Sequence, residues 1–339
     1  MRFFFNTKFQ TIWKELDQIK LGALLSYVAL GLSNVLTLLY TPFMLKMMGQ
    51  SEFGLYSLVL SIVSYLSLLD FGFGVALIRY ISLYNSRKES SKLPSLFGVF
   101  FSLYSLIGII CFILGVILFS SLDLIFESSL RFDEFENARI MIIILVIYLS
   151  LSFPLSIFGA IIIAYEKFIF QKSLVLFKTI LTPLLMVPLL IYGYKSVAMI
   201  IVVVAVGTIL ILANVWFCFR KLRIKIHFKN YDLSVIKEVF IFSVFVFVKI
   251  FFERIYWSSG QFILGLTLGT LSVAVFSLGL QLKGYYESFS QAISGLFLPK
   301  LTSMVSNNSS LDSISEIFVK VGRIQFHILG FILCVYILI

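Results

Sequence analysis

Nine apolar runs, each long enough to cross a bilayer as a helix, leave this chain little choice of fold. They fall at about 21–44, 53–78, 95–120, 139–164, 169–194, 196–219, 241–264, 273–298 and 315–339. About 20 apolar residues span the hydrocarbon core at 1.5 Å per residue. A backbone in hydrocarbon has no water to bind, so such runs become helices that satisfy their own hydrogen bonds. The expectation is an all-α, polytopic transmembrane bundle of about nine helices. Composition agrees: 60% of residues are hydrophobic and 13% are charged, about half the charge of a soluble domain. The fifth run carries Pro183 and Pro188 ("LTPLLMVPLL"), which predicts a kink there.

Loop charge sets the orientation. The N-terminus and the segments 79–94, 165–172, 220–237 and 299–320 hold 18 Lys and Arg residues; the alternate loops, 45–52, 121–139, 195 and 265–272, hold four. By the positive-inside rule the N-terminus and the basic loops are cytoplasmic. The long outer loop, "SLDLIFESSLRFDEFENAR", is acidic. Residues 1–20 read as a cytoplasmic, interfacial amphipathic segment. Residues 21–219 read as six helices, 220–237 as a basic cytoplasmic linker and 238–339 as three more helices. The linker's "RKLRIKIHFK" (Arg220 to Lys229) fits a stop-transfer anchor against anionic lipid better than a nucleic-acid patch.

Chemistry of other kinds finds little footing. Cys111, Cys218 and Cys334 are odd in number and form no CxxC, and His227 and His327 lie 100 residues apart. Neither a metal site nor a disulfide framework is indicated. The chain has no Walker A and no G-x-S-x-G motif. No cofactor and no enzymatic centre are expected.

The chain repeats itself. A shift of 220 residues lays Gly49 on Gly269, Tyr56 on Phe276, Ser57 on Ser277 and Tyr65 on Tyr285. It also lays the first three spans on the last three. Six helices precede the second copy, so both copies start inside and are related by an axis along the membrane normal. The second copy holds three of six helices, and a full second half would extend to about residue 440.

The stretch "GQSEFGLYSLVLSIVSYLSLLDFGFGVALIRYIS" (Gly49 to Ser82), with "SSGQFILGLTLGTLSVAVFSLGLQL" and "LFLPKLT" further on, resembles the polysaccharide-transport branch of the multidrug/oligosaccharidyl-lipid/polysaccharide (MOP) exporter superfamily. The resemblance covers the whole chain and rests on glycine and aromatic placements. It implies two lobes of six helices, the second incomplete here, in a bacterial inner membrane. It implies a flippase that moves undecaprenyl-pyrophosphate-linked oligosaccharide from the inner to the outer leaflet for O-antigen, capsule or exopolysaccharide synthesis, with a polymerase downstream. Two other readings compete. A cation-coupled drug exporter of the related multidrug (MATE) branch would favour acidic residues as the main charge of its cavity. A membrane polymerase or ligase would need a sizeable outer loop for its acceptor, and the acidic loop suits pyrophosphate poorly.

Charges inside the spans are the candidate site, because each costs about 2.5–3.5 kcal/mol on insertion scales. "FVKIFFERIYW" places Lys249, Glu253 and Arg254 inside the seventh run, and "LKGYYESFSQ" places Lys283 and Glu287 in the eighth. Lys249 and Glu253, like Lys283 and Glu287, are i,i+4 neighbours that can pair; Arg254 points about 140° from Lys249. Helical rise puts Arg254 and Lys283 level, about 20 Å from the cytoplasmic side. The expectation is a cationic cavity between lobes. In it Arg254 and Lys283 contact pyrophosphate, Lys249 assists, and Glu253 and Glu287 hold Lys249 charged or couple ions. Ion pairing between helices is the alternative for Lys249 and Glu253. Asp70 and Arg79 flank "FGFG" on opposite sides of the second helix, so each needs a partner elsewhere, and Asp70 is placed to latch a cytoplasmic gate. Asn34, Gln281 and Tyr285 are candidate sugar contacts, against the commoner role of joining helices. Lys178 is read as snorkelling to the cytoplasmic interface, with a cavity role as the alternative.

The orientation is tested by cysteine scanning in a chain lacking its three native cysteines. An impermeant maleimide added to intact cells is expected to label Asp133→Cys and to leave Ser86→Cys unlabelled until the membrane is opened; the reverse pattern inverts the topology.

Overall fold

The computed structural model describes residues 2–126, 130–228, 233–306 and 310–338. Ten α-helices make up nearly all of it: α1 (Arg2–Met48), α2 (Gln50–Leu66), α3 (Phe73–Ser86), α4 (Leu93–Phe126), α5 (Phe132–Ala164), α6 (Phe168–Ile191), α7 (Ser196–Phe217), α8 (Leu233–Thr267), α9 (Thr270–Ser306) and α10 (Leu311–Leu338). Among the described residues six stretches are long and apolar enough to cross a membrane, from Leu24–Met48 to Ser196–Leu222. Helices α8, α9 and α10, of 35, 37 and 28 residues, occupy the places of the last three expected spans. Helix α1 runs on from residues 2–20 into the first span without a break; the side chains on which the amphipathic reading of 1–20 rests lie outside those described. Contacts divide the chain into two compact units, Met1–Ser277 and Leu278–Ile339, described separately below.

The second span departs from the expected single helix over 53–78. It is broken into α2, a 3-10 turn at Ser67–Asp70 and α3. The cause is local: Phe71 and Gly72 are both left-handed, at φ 48° and 74°. Gly72 also lacks the Cβ that would sit 2.5 Å from a Val246 methyl of α8. The break thus brings α8 against the backbone of the second span. In α6, by contrast, Pro183 and Pro188 lie within one uninterrupted helix.

The expected repeat shows in backbone detail. Gly49, between α1 and α2, has φ 85°, and Gly269, between α8 and α9, has φ 77°. Only a residue without Cβ adopts such a conformation freely. The amide of Phe53 donates to the Gly49 carbonyl at 3.1 Å, and that of Val273, 220 residues on, donates to the Gly269 carbonyl at 3.4 Å. The two copies turn the chain in the same way at the same register.

Helix α5 is the centre of the first unit. Gly108 and Gly115 of α4 leave room for it: a Cβ on the first would lie 2.5 Å from the Ser150 carbonyl, and on the second 2.2 Å from a Val146 methyl. Gly207 of α7 makes space on the other flank for Tyr148. Small residues let helix backbones approach, which gives van der Waals contact where lipid supplies no hydrophobic drive between helices. Two buried clusters result. One gathers Tyr80, Phe97, Phe100, Tyr104 and Phe158 from α3, α4 and α5. The other gathers Leu55, Leu58, Phe126, Met141 and Val273 from α2, α4, α5 and α9.

The described part of the basic linker is pinned, not free. After a π turn at Cys218–Leu222 the chain is non-helical to Phe228. The amide of His227 donates to the Pro94 carbonyl at 2.9 Å, and Phe228 packs edge-on against Phe101. Past the left-handed Arg223 (φ 52°), Ile224 is buried and Ile226 half-buried, while Lys221, Arg223 and Lys225 are exposed. The apolar side grips the start of α4 and the cations face outward, at the end of the bundle that loop charge assigns to the cytoplasm.

Gly54 tests the close contact of the two copies. A Cβ there would meet the Thr270 carbonyl at 1.9 Å. Gly54→Val is expected to destabilise the purified protein by about 1–3 kcal/mol through overpacking, seen as a lower midpoint of thermal unfolding in detergent. Gly31→Ala, with nothing within 4 Å, is the control and is expected to leave the midpoint unchanged.

Candidate functional site

Helix α8 has two unlike faces. Ser258 shares a hydrogen bond with Ser64 at 2.8 Å, and Ser259 one with Tyr65 at 3.1 Å, so one side of α8 is fastened to α2. Gln261 reaches Ser277 at 2.8 Å. At 100° per residue Arg254 falls on the same side as the buried Ser243 and Ser258, and it is half-buried there. Lys249 and Glu253 fall on the other side and are exposed, together with Phe245, Phe252 and Tyr256. The three charges of "FVKIFFERIYW" therefore do not converge. Nor do Lys249 and Glu253 pair, although i,i+4 spacing permits it: among the described residues of that unit neither carries an ion pair, and Arg254 carries none either.

In the second unit the equivalent spacing does pair. The Lys283 ammonium lies 3.5 Å from Glu287, with both side chains about a third exposed. At that exposure the pair contributes little stability. Gln281 and Tyr285, also four apart, lie on the opposite side of α9 from Lys283, and both are half-buried. From α10, Gln325 donates to the Ser290 carbonyl at 3.2 Å.

The charged residues around the break in the second span have separate partners. The Tyr104 hydroxyl of α4 donates to Asp70 at 2.5 Å. Arg79 is exposed, with its guanidinium 4.4 Å from the centre of the Phe242 ring of α8. Asn34 is half-buried on α1. Asp70 thus ties the 3-10 turn to α4, while Arg79 ties α3 to α8 by a cation–π contact.

Two carboxylates that sequence analysis did not single out organise the opposite end of the unit. Glu134, 6% exposed in the first turn of α5, accepts hydrogen bonds from the Ser51 hydroxyl, from Thr270 at 2.8 Å and from the Arg131 amide at 3.0 Å. Glu52, in the first turn of α2, accepts from the Ser196 hydroxyl at 2.5 Å and from Asn137 at 3.4 Å. Four helix N-termini, those of α2, α5, α7 and α9, meet at these two side chains. A helix N-terminus carries about half a positive charge, so carboxylates are stabilised there. The signal was present in "QSEFG" and "RFDEFEN": an acid two or three residues into a helix following a turn.

The described fold and the site can now be set beside known proteins. The family model for polysaccharide biosynthesis proteins matches residues 19–304. The chain belongs to that family. A solved structure described as the inward-facing conformation of a multidrug resistance MATE family transporter of the MOP superfamily shares its fold, with a TM-score of 0.55 at 13% identity. The match covers 85% of this chain and 67% of the transporter. No curated protein matches significantly. The expected MOP-type bundle is the observed fold, so this member of the family is a multi-pass membrane protein with the architecture of a transporter.

The carboxylate cluster is tested by a double-mutant cycle. Glu134→Ala is expected to destabilise the protein by about 1–3 kcal/mol, since it leaves buried hydroxyls without their acceptor. With Thr270→Val added, the two losses are expected to fall short of additivity by about 1 kcal/mol, measured from thermal unfolding midpoints. Full additivity removes the Glu134–Thr270 link.

Proposed function

We propose that the protein is a flippase that carries lipid-linked oligosaccharide repeat units, on an undecaprenyl-pyrophosphate carrier, from the inner to the outer leaflet of a bacterial cytoplasmic membrane. Its N-terminus lies in the cytoplasm, and the product is polymerised into O-antigen, capsule or exopolysaccharide by a separate enzyme. The polysaccharide biosynthesis family supports a sugar cargo and the MOP fold supports transport. The observation that carries the pyrophosphate part is Arg254: a half-buried guanidinium inside α8 with no carboxylate in ion-pair range among the described residues of its unit.

An unpaired cation within a span is expensive, and an anionic ligand offsets that cost when it arrives. Arg suits the task because its planar fork donates to two oxygens at once. Lys283 is the second cation of the path and Lys249 an auxiliary one. Glu287 holds Lys283 until a phosphate displaces it, and Glu253 and Glu287 are the candidates for ion coupling. Gln281, Tyr285 and Asn34 are assigned to sugar hydroxyls. Asp70 and Arg79, at the break in the second span, are assigned to the cytoplasmic gate. Alternating access follows from rocking of one lobe against the other about the site.

The test is complementation of a deletion strain, with lipid-linked repeat units quantified in each leaflet. Arg254→Ala is expected to lower outward transport by about tenfold or more, the worth of a charge-assisted hydrogen bond, at unchanged membrane level; Arg254→Lys is expected to retain part of it. Full activity of Arg254→Ala overturns the assignment. Repeat units that reach the outer leaflet without the protein, yet stay unpolymerised, point to a polymerase; unchanged surface glycan in the deletion strain points to a drug exporter.

A further inference from the structure

A cleft of about 360 Å³ opens between α1 and α6, away from every residue assigned above except those of α1 itself. Its lining includes Ser33, Thr37 and Tyr40 from α1 and Lys178, Thr182 and Pro183 from α6. Lys178 lies ten residues beyond the start of α6, about 15 Å along the helix and so near mid-membrane. The cleft brings Lys178 together with a row of hydroxyl-bearing residues. Among the described residues no carboxylate lies within ion-pair distance of Lys178.

The hydroxyls differ in what they can still do. Thr37 donates to the Ser33 carbonyl at 2.7 Å, so its proton is already used within α1. Tyr40 is turned inward, donating to the Met186 sulfur at 3.0 Å. The Thr182 hydroxyl is different: its oxygen is fully buried and has no hydrogen-bond partner. A buried hydroxyl without a partner costs about 1–3 kcal/mol, and Lys178, though exposed, adds the cost of a charge within a span. Both costs fall on neighbouring residues of one cleft, and both are relieved by one kind of ligand. An anion with several acceptor oxygens takes donation from the ammonium and from Thr182 together. A metal cation or protonated amine is repelled by Lys178, and an apolar chain relieves neither group.

We propose that the α1–α6 cleft is an anion site that takes a phosphate carried into the membrane on a lipid, with Lys178 as its charge and Thr182 as its second donor. The inference does not rest on the function proposed above, since it uses neither Arg254 nor Lys283. The phosphate has two sources, an anionic phospholipid of the bilayer or a polyprenyl pyrophosphate, and the test separates them.

The full-length protein in detergent is titrated with dioctanoyl phosphatidylglycerol, dioctanoyl phosphatidylcholine and farnesyl pyrophosphate, and bound species are counted by native mass spectrometry. Wild type is expected to show a first binding step for at least one of the two anionic probes that Lys178→Gln weakens by about tenfold or more. Lys178→Arg is expected to keep it, and Thr182→Val to weaken it several-fold; phosphatidylcholine is expected to bind all four proteins alike. Loss of the phosphatidylglycerol step alone identifies the bilayer as the source, and loss of the farnesyl pyrophosphate step alone identifies a polyprenyl carrier. Equal anionic binding by wild type and Lys178→Gln, with the two proteins unfolding at the same temperature, overturns the site.

Discussion

Everything in this molecule answers to one constraint: a backbone that lies in hydrocarbon must satisfy its own hydrogen bonds. Long uninterrupted helices do so at no further cost, and most of the chain takes that form. The second span is where the rule is strained, because the left-handed pair Phe71–Gly72 interrupts it between α2 and α3. The break persists because neighbours close over it. Tyr104 holds Asp70 from α4, Val246 of α8 packs on Gly72, and Phe247 lies 4.9 Å from Phe71, centre to centre. An irregular backbone at membrane depth is tolerated where protein covers it, and here α8 supplies part of the cover. The same contact couples the second span to the helix that bears Arg254.

Polar side chains in the spans follow the same rule in most places. Isolated serines and threonines such as Ser26, Ser105 and Thr208 turn back onto carbonyls four residues earlier. The acids Asp70, Glu52 and Glu134 each accept hydrogen bonds from residues on other elements. Of the bases, Lys283 has Glu287 and Arg79 has the Phe242 ring. Arg254 and Lys178 have no acid within reach among the described residues of their unit. The acid Glu253 of α8 is likewise without an ion pair among the described residues of its unit, so the unpaired groups are of both signs.

How much of this was legible in sequence follows from which properties are one-dimensional. Span number and fold class depend on apolar length, and that is read directly. The equivalence of Gly49 and Gly269 depends on a shift of register, and it carries through to matching backbone angles and a matching Phe53/Val273 hydrogen bond. The break at Phe71–Gly72 was hidden because "LSLLDFGFGVALI" is apolar enough to read as helix throughout. The left-handed pair lies inside that run, and the neighbour that a Cβ at Gly72 would meet, Val246, is more than 170 residues away. The separation of Arg254 from Lys249 was readable from helical angle. Which of the two faces α2 was not, because that depends on Ser258 meeting Ser64. Glu52 and Glu134 were missed for another reason: loop acids entered only as topology signals, whereas their role depends on four helix starts meeting in space.

The carboxylate cluster is one of the places where the two copies of the repeat are fastened together. Glu134 holds Thr270, the first residue of α9, to α2 and α5, so it joins elements from both copies of the repeat at the end that loop charge assigns to the outside. Three further contacts of α8 with the second span, Gly265 on Leu58, Ser258 on Ser64 and Val246 on Gly72, run from that end towards the cytoplasmic one. The outer group is charge-assisted and buried, and the middle one is a pair of neutral hydrogen bonds, Ser258–Ser64 and Ser259–Tyr65. The inner one is apolar packing at a point where the backbone is already broken. At the inner end Arg79 adds its cation–π contact with Phe242, and the Tyr80 hydroxyl of α3 donates to Glu238 of α8 at 3.4 Å, so α8 is tied to the second span along its length. The two copies are thus joined at both ends of the unit, by the hydrogen bonds to Glu134 at one and by the Arg79–Phe242 and Tyr80–Glu238 contacts at the other.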